Sequence, residues 1–177
     1  MSIMLVDTLF SRSTPTIARF LLGKYLVRRR GTRTIRARIV DVEAYDGPHD
    51  KASHASRGKT ARNAVMFGPP GRWYVYFTYG MHWMLNVVTG EEGYPAAVLI
   101  RGVEVDGVRV NGPARTTKLL GIGKRFNGMP ANKRTGLWIE DAGRRVRAER
   151  IERSARIGVG YAGPFWSRRK WRFTLER

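Results

Sequence analysis

Two carboxylates and a tyrosine stand two apart in the stretch from Val40 to His54 (VDVEAYDGPHDKASH): Asp41, Glu43 and Tyr45. Just upstream, Ile35, Ala37 and Ile39 alternate with Arg36 and Arg38, the period-two pattern of a half-buried strand. Continued without a bulge, the apolar face of that strand carries all three polar groups towards the core. A carboxylate placed there is costly unless it is paired or hydrogen-bonded. Such an environment displaces pKa values, which marks a carboxylate suited to moving a proton or orienting water. A bulge would instead turn Asp41 and Glu43 outward, as solvated acids binding neighbouring arginines. The segment alone leaves both readings open.

Three further places hold chemistry-bearing residues. Arg72 to Tyr79 (RWYVYFTY), followed by Gly80 and the run Met81 to Thr89, reads as a β-hairpin with Tyr79-Gly80 at or near its tip. Trp73, Val75 and Phe77 fall on one face of it, Tyr74 and Tyr76 on the other. An aromatic beside a turn glycine is either folded back over its own hairpin or a wedge, and wedges between base pairs are a recognised device of DNA-binding proteins. Arg101 lies inside the apolar strand Ala96 to Val105, either facing an edge or buried against an acid. Asn111-Gly112-Pro113 opens a helix to about Leu120, and its free amides together with Arg115 and Lys118 suit a phosphate.

These residues need elements to position them. Thr14-Pro15 begins a helix, with threonine as cap, proline in the first turn and Gly23 as its stop. Lys24 to Arg30 and Thr34 to Tyr45 read as two strands about the turn at Gly31. Asp46 to Arg62 is polar and loop-like, Thr60 can cap a short helix through Met66, and Gly68-Pro69-Pro70-Gly71 is a firm break. Residues 121–136 form a Gly-rich connection. Leu137 to Glu140, Val146 to Ile151, Ile157 to Tyr161 and Trp171 to Leu175 read as short strands. Many strands with two or three helices predict an α+β fold around a curved, mainly antiparallel sheet.

The bulk properties narrow the partner. At 177 residues, 42% of them hydrophobic, the chain is expected to form one domain over 1–177. Lys and Arg number 33 against 14 Asp and Glu, a net charge of +19, with blocks at Arg28–Arg30, Arg144–Arg147 and Arg168–Arg172. Such a field attracts a polyanion, with nucleic acid the first expectation and an anionic membrane surface a distant second. The absence of cysteine excludes disulfides, thiol nucleophiles and Cys-ligated zinc. Asp7 and Arg12 interrupt the apolar residues of the amino terminus, so no signal peptide is read there, and no run is long enough to cross a bilayer. The expectation is a soluble intracellular protein, cytoplasmic and nucleoid-associated in a bacterium or nuclear in a eukaryote.

Taken in order, the motifs VEAYDGP (Val42–Pro48), Ala52-Ser53-His54, TARN (Thr60–Asn63), GRWYVYFTYGMHWMLNVV (Gly71–Val88), LIRG (Leu99–Gly102), NGPA (Asn111–Ala114) and ARIGVGYAG (Ala155–Gly163) resemble the alkyladenine (3-methyladenine) DNA glycosylase family. The likeness runs from about Phe10 to Thr174. It implies a compact fold with flanking helices and a protruding hairpin that enters the DNA minor groove. It also implies hydrolysis of the N-glycosidic bond of a damaged purine, leaving an abasic site. By the same resemblance Glu43 falls on the general base and Arg101 on the residue that helps hold the attacking water. Tyr45, His54 and Tyr76 fall on the pocket around the flipped base, the backbone amide at His54 reading its edge. Asn86 falls on the residue that disfavours the amino group of normal guanine, and Tyr79 on the residue that fills the gap in the duplex. A loop at Gly90–Pro95 that looks slightly long, and an end soon after Leu175, are departures from the family pattern.

The expected activity is a monofunctional glycosylase acting on alkylated and deaminated purines of duplex DNA as a monomer, without metal or other cofactor. Water is the expected nucleophile, since no lysine lies in the quoted site motifs. From a different class, Asp41 and Glu43 could be the magnesium pair of a nuclease, because acid-x-acid on a strand suits a hard cation. A non-enzymatic basic protein binding nucleic acid through its aromatic hairpin is the third reading.

Overall fold

The structure is a computed structural model describing residues 3–4, 10, 12–143 and 145–176. Arg144, inside one of the basic blocks, lies outside the described residues. Among the described residues, ten strands join one open sheet: β1 (Ile3–Met4), β2 (Tyr25–Arg30), β3 (Arg33–Asp46), β4 (Trp73–Thr78), β5 (His82–Val88), β6 (Ala96–Val105), β7 (Val108–Asn111), β8 (Leu137–Asp141), β9 (Ile151–Ser154) and β10 (Arg172–Leu175). Its main path runs β1-β8-β2-β3-β6-β5-β4, with β7 on β6 and β9 on β10, and every pair is antiparallel. Helices α1 (Thr14–Leu21), α2 (Pro113–Leu120) and α3 (Gly163–Ser167) flank it. The α+β expectation and the mainly antiparallel sheet are both borne out.

One strand organises the rest. β3 pairs along one edge with β6, while its other edge is shared, Arg33–Arg38 taken by β2 and Asp41–Glu43 by β10. Where β2 gives way to β10 on that edge, pairing with β6 on the other edge shifts register on either side of Asp41. That β-bulge changes the phase of the side chains. Ala37 and Ile39 enter the main core, and beyond the bulge Val42 and Ala44 enter it in their place. The apolar row of the strand therefore does not continue into Asp41, Glu43 and Tyr45, which lie on the opposite face. They are not solvated there either, since Asp41 and Glu43 are both buried.

The main core fills the α1 side of the sheet, with Ile17, Leu21, Leu26, Ile39, Val42, Trp73, Leu85, Val98, Ile100 and Phe173 among its members. The opposite face carries two smaller clusters, one around Met66, Tyr74 and Val88 and one around Ala52, Val159 and Ala162. As read from the sequence, Trp73 and Val75 point into the main core and Tyr74 and Tyr76 point away from it.

Several local expectations are corrected. Ser13, not Thr14, occupies the cap position of α1. The Thr14 hydroxyl donates instead to Asp46 Oδ1 (2.8 Å) and lies 3.1 Å from that of Thr89, tying the helix to the end of β3. Thr60 bonds with Asn63 in a turn, and only a 3-10 helix over Ala64–Phe67 follows. Val146 to Ile151 is not a strand: Ala148–Arg150 is 3-10 and the strand is Ile151–Ser154. Ile157 to Tyr161 is a turn leading into the 3-10 helix Gly160–Ala162, and the short α3 that follows was not expected. The hairpin partner β7, turned at Asp106-Gly107, was also missed.

Candidate active site

The second face of the sheet forms the floor of a cavity of about 340 Å³. Strands present alternate residues to each face, and here that places Tyr74 and Tyr76 of β4, Met84 and Asn86 of β5, and Ala97, Leu99 and Arg101 of β6 in the cavity lining. Register aligns them: Tyr74, Asn86, Leu99 and Glu43 pair in sequence across β4, β5, β6 and β3. Two strand spacings separate Glu43 from Asn86, roughly 10 Å. The walls come from the loop carrying Ser53 and His54, from Pro113 at the start of α2, and from Ile157 to Tyr161.

Glu43 is fully buried beneath this floor, with a side-chain exposure of 0%. Tyr45 Oη donates to its Oε2 (2.9 Å) and the Ile157 N–H to its Oε1 (2.8 Å), while Arg101 Nη1 lies 3.4 Å from Oε1. Burial pushes the Glu43 carboxyl above its ordinary pKa, against the opposing pull of Arg101, the Ile157 amide and the Tyr45 hydroxyl. The result is a stronger base than an exposed glutamate. Asp41 is held by both prongs of Arg172 (3.0 and 2.9 Å), and Arg101 Nε sits 3.8 Å from its Oδ2. That Nε is buried and has no hydrogen-bond acceptor among the described residues.

The two acids are thus dressed with N–H and O–H donors and guanidinium charge. A hard cation needs free carboxylate oxygens, so this arrangement argues against the magnesium-pair reading. Among the described residues no group of three or more acids and histidines converges elsewhere.

The aromatic walls are tied together by polar contacts. His54 Nδ1 lies 3.0 Å from Tyr74 Oη, and the His54 ring meets Tyr76 edge-on at 4.6 Å. Desolvation and the charge of Arg62 hold the His54 pKa below its ordinary value, so the ring is neutral at neutral pH. Burial raises the Tyr45 and Tyr74 hydroxyls and pushes Tyr76 up to about 12, keeping all three protonated. Ser53 caps the 3-10 helix His54–Arg57 by accepting from Ala55 N–H. The His54 N–H, at the first helical position where amides lack intrahelical partners, makes no bond among the described residues. Asn63 fixes this loop, its Nδ2 donating to His54 O (3.0 Å) and Gly58 O (2.9 Å).

Asn86 is buried in the cavity lining, with its Nδ2 committed to the Tyr74 carbonyl (3.0 Å). Tyr79 stands at the hairpin tip, 83% exposed and at the mouth of the cavity. Its φ of 52° is unusual for a residue with a side chain and costs about 1–2 kcal/mol, so the ring is held out rather than folded back. Arg115 and Lys118 are both exposed on α2, and Thr116 of that helix donates to Arg101 O (3.2 Å). The long-looking loop after β5 closes on the site's support: the Tyr94 ring packs over Gly47, where a Cβ would collide with it.

The structure therefore lines one cavity with Tyr45, His54, Tyr76, Tyr79, Asn86 and Arg101, sets Glu43 behind that lining against Tyr45, Ile157 and Arg101, and leaves Arg115 and Lys118 outside it. Sequence reasoning missed Tyr74 as the partner of His54, Ile157 as the amide on Glu43, Tyr161 in the cavity wall and the Asp50–Arg156 pair behind it. Tyr74 lies in GRWYVYFTY and Arg156, Ile157 and Tyr161 in ARIGVGYAG, while Asp50 falls between the motifs, and nothing local shows what they touch.

Comparison with known proteins agrees with this geometry. Residues 8–177 match the family described as Methylpurine-DNA glycosylase (MPG). A protein of Anaeromyxobacter dehalogenans (strain 2CP-C) named "Putative 3-methyladenine DNA glycosylase" is 47% identical over 97% of this chain and 83% of its own length. Proteins of the same name from Methanocella arvoryzae and Myxococcus xanthus are 43% identical (93% of this chain, 88% of theirs) and 42% identical (97% and 90%). A buried carboxylate under an aromatic cavity, and a family match across nearly the whole sequence, lead to one conclusion: this chain belongs to the methylpurine-DNA glycosylase family, hydrolases of the N-glycosidic bond of damaged DNA.

Proposed function

We propose that the chain removes alkylated and deaminated purines, of the 3-methyladenine, 7-methylguanine, hypoxanthine and ethenoadenine class, from duplex DNA by flipping the nucleotide into the cavity. The observation that carries this reading is the fully buried Glu43 beneath a purine-sized aromatic cavity whose mouth bears the exposed Tyr79.

A base inside the duplex is unreachable, and extruding it costs a few kcal/mol. Tyr79 offsets this by stacking in the vacated place, worth roughly 1–3 kcal/mol. The flipped base lies against Tyr45 and Tyr76, with the His54 amide donating to its edge and Asn86 opposing the amino group of guanine. A cationic alkylated purine gains a further cation–π attraction from electron-rich rings.

An ionised carboxylate offers about four acceptor directions. Tyr45 and Ile157 use two of them and Arg101 lies near a third, which leaves one acceptor direction for a water held between Glu43 and Arg101. As the bond from C1′ to the purine nitrogen breaks, its electrons leave with the base. Water adds to C1′ and its proton passes to Glu43, leaving an abasic site. General-base help of this kind is worth about 10²–10⁴-fold, and the carboxylate also stabilises the cationic sugar. No step calls for a metal ion or a lysine nucleophile. The active unit is a monomer, and Arg115 and Lys118 touch DNA phosphates beside the cavity.

The test uses end-labelled duplexes carrying one hypoxanthine, one ethenoadenine or no lesion, incubated in chelator and then run with and without alkali. Breaks at the lesion only after alkali are expected. Breaks without alkali would mean a lyase or nuclease. No breaks, and no methylated purines released from alkylated DNA, would leave a binding protein.

A further inference from the structure

Behind the cavity lies an ion pair that is not itself part of the lining. Arg156 and Asp50 both have side-chain exposures of 0%. Arg156 Nη1 and Nη2 donate to the two Asp50 oxygens at 2.5 and 2.8 Å. The same guanidinium donates to Ala44 O (2.8 Å) and Trp166 O (3.3 Å), and packs against the rings of Tyr45 (4.8 Å) and Trp171 (5.2 Å). Asp50 in turn accepts from the Asp46 and Ala52 amides (3.2 and 3.1 Å).

The pair therefore joins three pieces of chain: the end of β3, the loop leading to Ser53 and His54, and the segment from Arg156 to Trp166. Two of these supply the hydrogen-bond donors on Glu43. Tyr45 is packed on Arg156, and Ile157 is its next residue. A fully buried ion pair is a poor source of stability, since apolar residues of equal volume are often as good or better. This one also leaves Arg156 Nε buried without an acceptor among the described residues. What it supplies in exchange is a planar, two-pronged joint of fixed geometry.

We propose that Asp50 and Arg156 are positioning residues of the hydrolysis, holding the Tyr45 hydroxyl and the Ile157 amide on Glu43 from behind the cavity. The inference rests on the reading of Glu43 as the base. Both donors favour the ionised carboxylate, so loosening them raises the Glu43 pKa further. The acid limb of the rate profile then moves to higher pH.

The experiment measures single-turnover excision from a hypoxanthine duplex at saturating protein across pH for wild type, D50N and R156K. K24M serves as control, because Lys24, buried just before β2, pairs with the half-buried Asp141 at the end of β8 (2.7 Å), away from the cavity lining. D50N and R156K are expected to lose on the order of 10²-fold in rate, the scale of a small misplacement near the chemistry. Their acid limbs should shift upward while duplex affinity holds. K24M should lower the melting temperature and leave the limb in place. Unmoved limbs in D50N and R156K, or rates that track only their folded fraction, would overturn the proposal. Should both variants fail to fold, W171L loosens the same guanidinium without stranding a charge, and an unmoved limb there is equally fatal. A wild type that excises no lesion would bring down the reading of Glu43 itself, a result distinguishable from active protein with indifferent variants.

Discussion

Replacing Tyr45 with phenylalanine removes one atom from the site and keeps the ring. The lost hydroxyl donates to Glu43 Oε2 at 2.9 Å, inside a pocket where the carboxylate is wholly buried. Hydrogen bonds to charged groups contribute about 1.5–3 kcal/mol, and each 1.4 kcal/mol is a factor of ten in an ionisation equilibrium. The ionised fraction of Glu43 on the acid side of its titration should therefore fall roughly ten- to a hundredfold. Ile157 N–H and Arg101 remain as partners, so ionisation persists at higher pH. The acid limb of single-turnover excision should move up in pH, with the rate recovering on the alkaline side. Stability should follow the same sign. A carboxyl whose folded pKa is raised contributes most below its unfolded pKa and loses that contribution as pH rises through the folded one. The variant should thus melt lower than wild type at neutral pH and equally in acid. A limb that stays in place, or moves down, would show that Tyr45 does not favour the ionised base, and the account of Glu43 would fail.

Glu43→Gln should abolish excision while leaving lesion-duplex binding near normal in a filter or anisotropy titration. Because burial raises the Glu43 pKa, the same variant should melt higher than wild type at neutral pH, the gap closing on acidification. Tyr79→Ala should weaken retention of lesion DNA relative to intact duplex, and equal discrimination by both proteins would count against the wedge. The double change of Arg115 and Lys118 to alanine should reduce the slope of log affinity against log salt by roughly 0.9 for each phosphate left unneutralised, and an unchanged slope would place them off the DNA.

Much of this was legible in the chain. Alternation in Trp73 to Phe77 predicted the two faces of the hairpin, and the strand Ala96–Val105 and the helix from Pro113 to Leu120 fall where punctuation and periodicity put them. The ordered motifs announced the family; spacing already singled out Glu43 and Tyr45, and the resemblance nominated Tyr76 and Asn86. What the sequence misplaced has a common cause. Period two in residues 35–45 carries no mark of an inserted residue, so a strand with a bulge at Asp41 reads like one without. The bulge shows itself only in the pairing of β3 with β6, a partner that lies far along the chain. Ile157 to Tyr161 has the apolar spacing of a strand, but its backbone is turned to bring the Ile157 amide onto a carboxylate 114 residues away. The pairs Asp41–Arg172 and Asp50–Arg156 span 131 and 106 residues, beyond the reach of any local pattern. Residue types, spacing and the family resemblance thus nominated the groups proposed to carry the chemistry. The tertiary fold decided which way they face and what holds them, because burial and pairing are properties of neighbours that the chain order does not contain.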